Sequence, residues 1–131
     1  MSKVINTQGK RKSAIGRCSL KSGKGKVTFN GQSLSSLDNS ILKLRISEPL
    51  VLIGELAHTI DVDLNVIGGG ISGQADAARL AMARALVKHD SKLKSVFEEY
   101  DRLLLVADVR RKETRKPNDS KARAKRQKSY R

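Results

Sequence analysis

Apolar and polar positions alternate most cleanly from Thr59 to Val66, where Ile60, Val62, Leu64 and Val66 share one face and Asp61, Asp63 and Asn65 the other. That two-residue period predicts a strand with one wet face. Residues 14 to 20 repeat it: Ala14, Gly16, Cys18 and Leu20 fall on one side, Arg17 and Ser19 on the other, so Cys18 is expected in the core. Ser22-Gly23-Lys24-Gly25 reads as a turn and Lys26 to Phe29 as the second arm of a β-hairpin, ended by Asn30-Gly31. Leu37, Ile41, Leu44 and Ile46 stand at helical spacing, and Ser47-Glu48-Pro49 starts a second short helix with proline in its first turn. Ala75 to Lys88 is an alanine-rich helical run with Ser72 as N-cap and a packing stripe of Ala75, Ala78, Met82, Ala85 and Leu86. Arg79 and Arg84 lie off that stripe and are expected to face solvent or a partner. A helix from Ser91 to Tyr100 and a strand from Leu103 to Val109 follow. This order of elements predicts an α+β fold, a compact two-layer sandwich of a small mixed sheet with helices.

Charge changes the picture. The 131 residues carry a net charge of +14, far above the magnitude of about 2 to 8 that suits a small soluble domain. Residues 1 to 26 hold +8 with no acid, residues 27 to 109 hold −3, and residues 110 to 131 hold +9. Two polycationic ends on a slightly acidic body point to a polyanionic partner. The length suits one domain, placed at residues 1–109, and the last 22 residues offer only Ala122, Ala124 and Tyr130 as apolar side chains, too few to fold alone. Residues 110–131 are therefore expected to form an extended basic tail, disordered without a polyanion such as RNA or DNA, that reaches roughly 70 Å at about 3.3 Å per residue. Spaced cations on a flexible backbone suit nucleic acid, because each neutralised phosphate releases counterions. With no Trp, two Phe and two Tyr, base stacking is a minor resource.

The candidate chemistry is sparse. Cys18 is alone, which excludes an intramolecular disulfide and fits a reducing compartment. Residues 1–12 lack an apolar signal region, and the apolar runs at 50–53 and 103–107 are too short to cross a membrane. Gly68, Gly70 and Gly73 satisfy G-x-G-x-x-G, but no acidic strand end follows about 20 residues on, so a turn allowing close helix-to-sheet packing outweighs a dinucleotide loop. Free N–H groups around Gly69, Gly70 and Gln74 at a helix N-terminus also suit an RNA phosphate. Around Lys10 a phosphate-loop motif fails, since Val4 and Arg11 stand where Gly and Ser or Thr are required. Lys10, Arg11, Lys12 and Arg17 instead read as phosphate-positioning residues. His58 and His89 are isolated, and Asp61 and Asp63 lack a third ligand, so they read as surface histidines and a wet strand face. No nucleophile, base and orienter can be grouped; no enzyme, cofactor or metal is expected.

Four segments together carry a resemblance: Gly-Lys-Arg-Lys-Ser-Ala-Ile-Gly-Arg at 9–17, Ile-Gly-Gly-Gly-Ile-Ser-Gly-Gln-Ala at 67–75, Ala-Arg-Ala-Leu at 83–86 and Lys-Arg-Gln-Lys-Ser-Tyr-Arg at 125–131. In that order they resemble the ninth-protein family of the small ribosomal subunit over nearly the whole chain. The Gln-Lys-Ser-Tyr-Arg ending is similar to its archaeal and eukaryotic cytosolic branch, and the short N-terminal region to archaeal members. The resemblance implies an α+β domain shared with other ribosomal proteins and some small-molecule kinases, seated on the head of the subunit beside neighbouring ribosomal proteins, in the cytoplasmic ribosome. It also implies a tail that runs through ribosomal RNA to the peptidyl site. Arg110, Arg111, Lys112, Arg115, Lys116, Lys121, Arg123, Lys125 and Arg126 would line the RNA path, and Lys10 to Arg17 would anchor the domain. Arg131 would contact tRNA phosphates, with Lys128, Ser129 and Tyr130 nearby; Tyr130 stands where bacterial members carry lysine, and a phenol suits packing on a ribose or base. Two rivals remain at this point: a chromatin-like DNA binder, which charge alone permits, and a nucleotide-binding enzyme using the 68–73 loop.

Overall fold

The computed structural model of the chain describes residues 3–124. Five strands, β1 (Ile5–Arg11), β2 (Ala14–Ser22), β3 (Val27–Phe29), β4 (Gln32–Ser33) and β5 (Ile60–Ile67), form one mixed sheet in the order β1-β2-β5-β3-β4. Three helices, α1 (Ser40–Ile53), α2 (Ile71–His89) and α3 (Leu93–Tyr100), complete an α+β fold, with short 3-10 turns at Leu34–Ser36, Gly54–Thr59 and Arg102–Leu104.

The alternating segments become β2 and β5, paired antiparallel with Cys18 opposite Leu64 and Leu20 opposite Val62. Their inward residues and α2 form the core, where Cys18, Leu20, Ile60, Leu64, Met82 and Leu86 are all at most 1% exposed. Helix α2 is buried on more sides than one stripe provides, because Ala77, Leu80, Ala81 and Ala83 are also enclosed. Its small side chains let it lie close to the sheet. Gly9 and Gly16 face each other across β1 and β2. A Cβ on Gly9 would sit 2.7 Å from the Ala81 amide nitrogen, and one on Gly16 would sit 3.0 Å from the Ala77 carbonyl. Thr7 adds a hydroxyl that donates to the Ala81 carbonyl at 2.7 Å.

One strand is added to the sequence reading and four expectations are corrected. Residues 5–11 are a strand, hairpinned to β2 through Lys12-Ser13 with Lys12 at φ 53°. β2 and β3 are not a hairpin: β5 lies between them, antiparallel to β2 and parallel to β3. The turn after β2 is held from β5, whose Asp61 carboxylate accepts the N–H groups of Lys24 at 2.9 Å and Lys26 at 3.0 Å. The local hairpin is instead β3–β4, turning at Asn30-Gly31 with φ 50° and 85°. Residues 40–53 are one helix, not two, and Pro49 lies buried inside it. Its inward stripe is Leu42, Ile46 and Pro49, which leaves Ile41 61% and Leu44 69% exposed. Asn39, accepting the Leu42 N–H at 3.0 Å, caps this helix. Gly70 rather than Ser72 is the N-cap of α2, and Ser72 accepts a hydrogen bond from Arg45 instead. Residues 103–109 form no strand: Asp101 accepts the Leu103 N–H, starting a 3-10 turn, and the chain beyond it is irregular.

Candidate nucleic-acid interface

The four basic residues at 10–17 do not gather into one patch. Strand alternation puts Lys10 on the open face with Gln8 and Arg17, and turns Arg11 toward α2. Arg11 is only 14% exposed; it pairs with Asp108 at 3.5 Å and Asp76 at 3.9 Å and donates to the Arg110 carbonyl at 2.9 Å. It therefore ties β1 to α2 and to the start of the C-terminal segment. Lys12 is exposed in the hairpin turn.

Arg11 belongs to a polar cleft of about 300 Å³ in which cations and carboxylates interleave. Arg45 meets Asp76 at 2.7 Å, and Arg79 meets Glu48 at 2.6 Å and Asp101 at 3.1 Å. Arg79, with 13% of its side chain exposed, thus faces carboxylates of α1 and the 3-10 turn, not solvent. Asp108 is gripped by Arg110, whose Nε and Nη2 donate to it at 3.0 and 2.7 Å. That side chain, the Arg110 backbone N–H and the nearby Arg11 charge hold the Asp108 carboxyl well below the usual carboxylate range. The cleft neutralises most of its own charge and acts as a cement between elements.

A second concavity, about 560 Å³, runs from the open face of β1, β2 and β5 to the C-terminal half of α2. Among the described residues Arg17, Arg84 and Lys88 border it and no carboxylate does. Arg84 does not face solvent freely: its Nε donates to the Leu105 carbonyl at 3.2 Å and its Nη1 to the Gln8 carbonyl at 3.0 Å. Neutral Gln8 and Asn65 flank Arg17 in the ladder. Beneath them Cys18 is buried, and desolvation pushes its thiol up to about 12, which keeps it protonated and unreactive at neutral pH. The sequence pattern marks Arg17 as a site residue, places Arg84 only as facing solvent or a partner, and does not mark Lys88; the i, i+4 spacing of Arg84 and Lys88 on one helix edge is the signal that could have joined them to the site.

The glycine loop serves packing. Gly68 and Gly69 have φ of 78° and 65°, and a Cβ on Gly68 would stand 2.6 Å from the Ser13 carbonyl. Gln74 closes the loop: its backbone N–H donates to the Gly70 carbonyl at 2.9 Å and its Nε2 to the Gly68 carbonyl at 3.1 Å, so the backbone N–H expected to be free there is taken, while Gly70 is exposed at the start of α2. Among the described residues no strand follows α2, so the second parallel strand of a dinucleotide fold is not there. Asp61 and Asp63 are occupied by the Lys24 and Lys26 amides and the Thr28 hydroxyl, and His58 and His89 are exposed.

In the C-terminal segment Arg111, Lys112 and Lys121 are exposed with no ion pair among the described residues. Arg115 donates to the Asp119 carbonyl, and Lys116 and Arg123 share Glu113 at 3.2 and 2.7 Å. Lys125, Arg126, Lys128, Ser129, Tyr130 and Arg131 lie outside the described residues. No described helix is long and apolar enough to cross a membrane.

The family model described as ribosomal protein S9/S16 matches residues 9–131. The chain belongs to the ribosomal protein S9/S16 family. Among curated S9/S16 relatives, the small ribosomal subunit protein uS9 of Methanothrix thermoacetophila is 44% identical over 131 residues, covering 98% of this chain and 99% of the relative. The protein of the same description from Methanococcus maripaludis strain C7 is 47% identical over 133 residues, again covering 98% and 99%. Membership of the S9/S16 family makes this a structural ribosomal protein and removes the nucleotide-binding enzyme from consideration.

Proposed function

We propose that the protein is a structural constituent of the small-subunit head in the cytoplasmic ribosome, that it binds ribosomal RNA, and that its C-terminal tail touches tRNA in the peptidyl site. The observation that carries this reading is the distribution of unspent charge. Arg11, Arg45 and Arg79 are consumed by internal carboxylates, whereas Arg17, Lys88, Arg111, Lys112 and Lys121 are exposed and unpaired among the described residues. Such cations favour a phosphate backbone through counterion release. Irregular RNA is the partner of choice because the family is ribosomal and duplex DNA offers no folded loops or 2′-hydroxyls.

Residues 1–109 would be the RNA-seated domain and residues 110–131 an arm that orders along RNA, with Lys10, Lys12, Gly69, Gly70, Gln74 and the arm's basic residues contacting phosphates. Arg131, with Lys128, Ser129 and Tyr130, would meet the tRNA. The test is a subunit reconstituted with a chain ending at Gln127. It should assemble normally, stay bound in a high-salt sucrose gradient and release peptidyl-site tRNA roughly three- to tenfold faster, the loss of one or two solvated charge contacts. An unchanged tRNA off-rate would refute the tail contact; protein left at the top of the gradient would refute the ribosomal seat.

A further inference from the structure

We propose that the concavity between the open sheet face and the C-terminal half of α2 is a phosphodiester seat for folded ribosomal RNA, built by Arg17, Arg84 and Lys88 and separate from the C-terminal arm. The seat rests on the RNA-binding reading and is the surface of the globular domain that makes the contact.

Three observations converge. First, the two clefts flanking β1 differ in balance. In the cleft containing Arg11 each guanidinium meets a carboxylate, whereas among the described residues three cations border the second concavity and no acid does. Uncompensated like charges repel one another, and an arriving phosphate converts that repulsion into attraction. Asp63, on the open face opposite Ser19 in the ladder, does not border the concavity, and its carboxylate already accepts the Thr28 hydroxyl at 2.8 Å.

Second, Arg84 is positioned without being neutralised. Its two hydrogen bonds go to carbonyls, which fix the guanidinium but leave its full charge. A guanidinium has five N–H donors, so three remain for an oxyanion. A residue already held in place loses little rotamer entropy on binding. Helix-dipole stabilisation explains a cation at Lys88, in the last turn of α2, but not one at Arg17, which sits mid-strand between neutral partners.

Third, the remaining polar side chains are those an RNA backbone can use. Asn6, Gln8 and Asn65 border the concavity as neutral groups that both donate and accept, which suits 2′-hydroxyls and base edges beside the phosphates.

The experiment compares two full-length variants with equal charge loss. Arg17→Gln with Lys88→Gln removes the two exposed cations of the concavity and leaves Arg84 in place; Lys92→Gln with Lys94→Gln removes two exposed charges at the start of α3. None of these four side chains carries an ion pair among the described residues, so both variants should fold as the parent does. Binding to a transcript of the head domain of small-subunit ribosomal RNA is titrated across a series of KCl concentrations. The concavity pair should lower the log–log salt slope by about 1.4, two contacts at roughly 0.7 each, and weaken binding about tenfold or more; the α3 pair should do neither. Arg17→Lys should retain the slope. Amide resonances of residues 6–8, 17–19, 65 and 84–88 should shift on RNA addition while those of α3 stay still. Equal losses from the two variant pairs would overturn the seat and leave only a net-charge effect. Failure of the parent chain to bind the transcript, or equal affinity for duplex DNA, would overturn the RNA-binding reading and the seat with it.

Discussion

Gly9→Ala is the sharpest test of how α2 is held on the sheet. The new Cβ would meet the Ala77 carbonyl and stand 2.7 Å from the Ala81 nitrogen, about 0.7 Å inside the 3.4 Å at which ordinary contact begins. Both atoms are helix backbone, so neither can swing away, and the strand or the helix must move as a whole. Overpacking of this kind costs about 1–3 kcal/mol, and rigid neighbours put Gly9 at the upper end. Alanine recovers roughly 0.4–1 kcal/mol from the unfolded chain, leaving a net loss of about 2 kcal/mol. At about 3–5 °C per kcal/mol for a chain of this length, Tm should fall by roughly 6–10 °C. Gly16→Ala, whose Cβ would sit 3.0 Å from the Ala77 carbonyl, should cost less. Gly70→Ala, with nothing within 4 Å and no positive φ, should stay within about 1 kcal/mol of the parent. The assay is thermal and urea unfolding of the three single variants. If Gly9→Ala melts at or above Gly70→Ala, the close approach of α2 to β1 is wrong.

Two further outcomes follow from the charged groups. Arg79→Ala leaves Glu48 and Asp101, each about one-third exposed, facing a site without a cation, and should cost about 2 kcal/mol; adding Glu48→Gln should return part of it, read as the urea midpoint at neutral pH. Asp61 is held below the usual carboxylate range by the Lys26 and then the Lys24 backbone N–H, so the folded state binds fewer protons than the unfolded one near pH 4. The stability it adds is therefore complete above the unfolded value of about 3.9 and fades as pH falls through the lower folded value. Asp61→Asn should flatten the decline in urea midpoint on acidification, and parallel profiles for parent and variant would remove Asp61 from the acid response.

Elements with a strong period are legible in the sequence alone: β2, β5 and α2 each bury the face that their alternation or helical spacing marks. β1 is hidden for a physical reason. Its inward residues are Ile5, Thr7, Gly9 and Arg11, a set with one large apolar member, because an alanine-rich helix leaves no room for bulky side chains and because Asp76 and Asp108 satisfy the arginine. Helix α1 reads as two pieces because Ile41 and Leu44 form a rival apolar stripe, whereas the buried one is Leu42, Ile46 and Pro49. The pairing of β3 with β5 is parallel and non-local, and no turn residue near β3 encodes it. At the interface, Arg17 is readable from strand alternation, but its company with Arg84 and Lys88 exists only once α2 is laid on the sheet.

A net charge of +14 therefore locates nothing by itself. In the folded body, cations divide into those that close the structure and those left for a partner, and internal carboxylates make the division. Arg11, Arg45 and Arg79 are 14%, 39% and 13% exposed and paired, so salt screens them less than it screens Arg17 and Lys88, which stand exposed. Rising salt should accordingly strip RNA from the protein well before it loosens the fold. That separation lets the chain carry exposed positive charge on which folding does not depend: the energy of the basic surface is realised in the complex, and the paired arginines and carboxylates keep the domain closed until the complex forms.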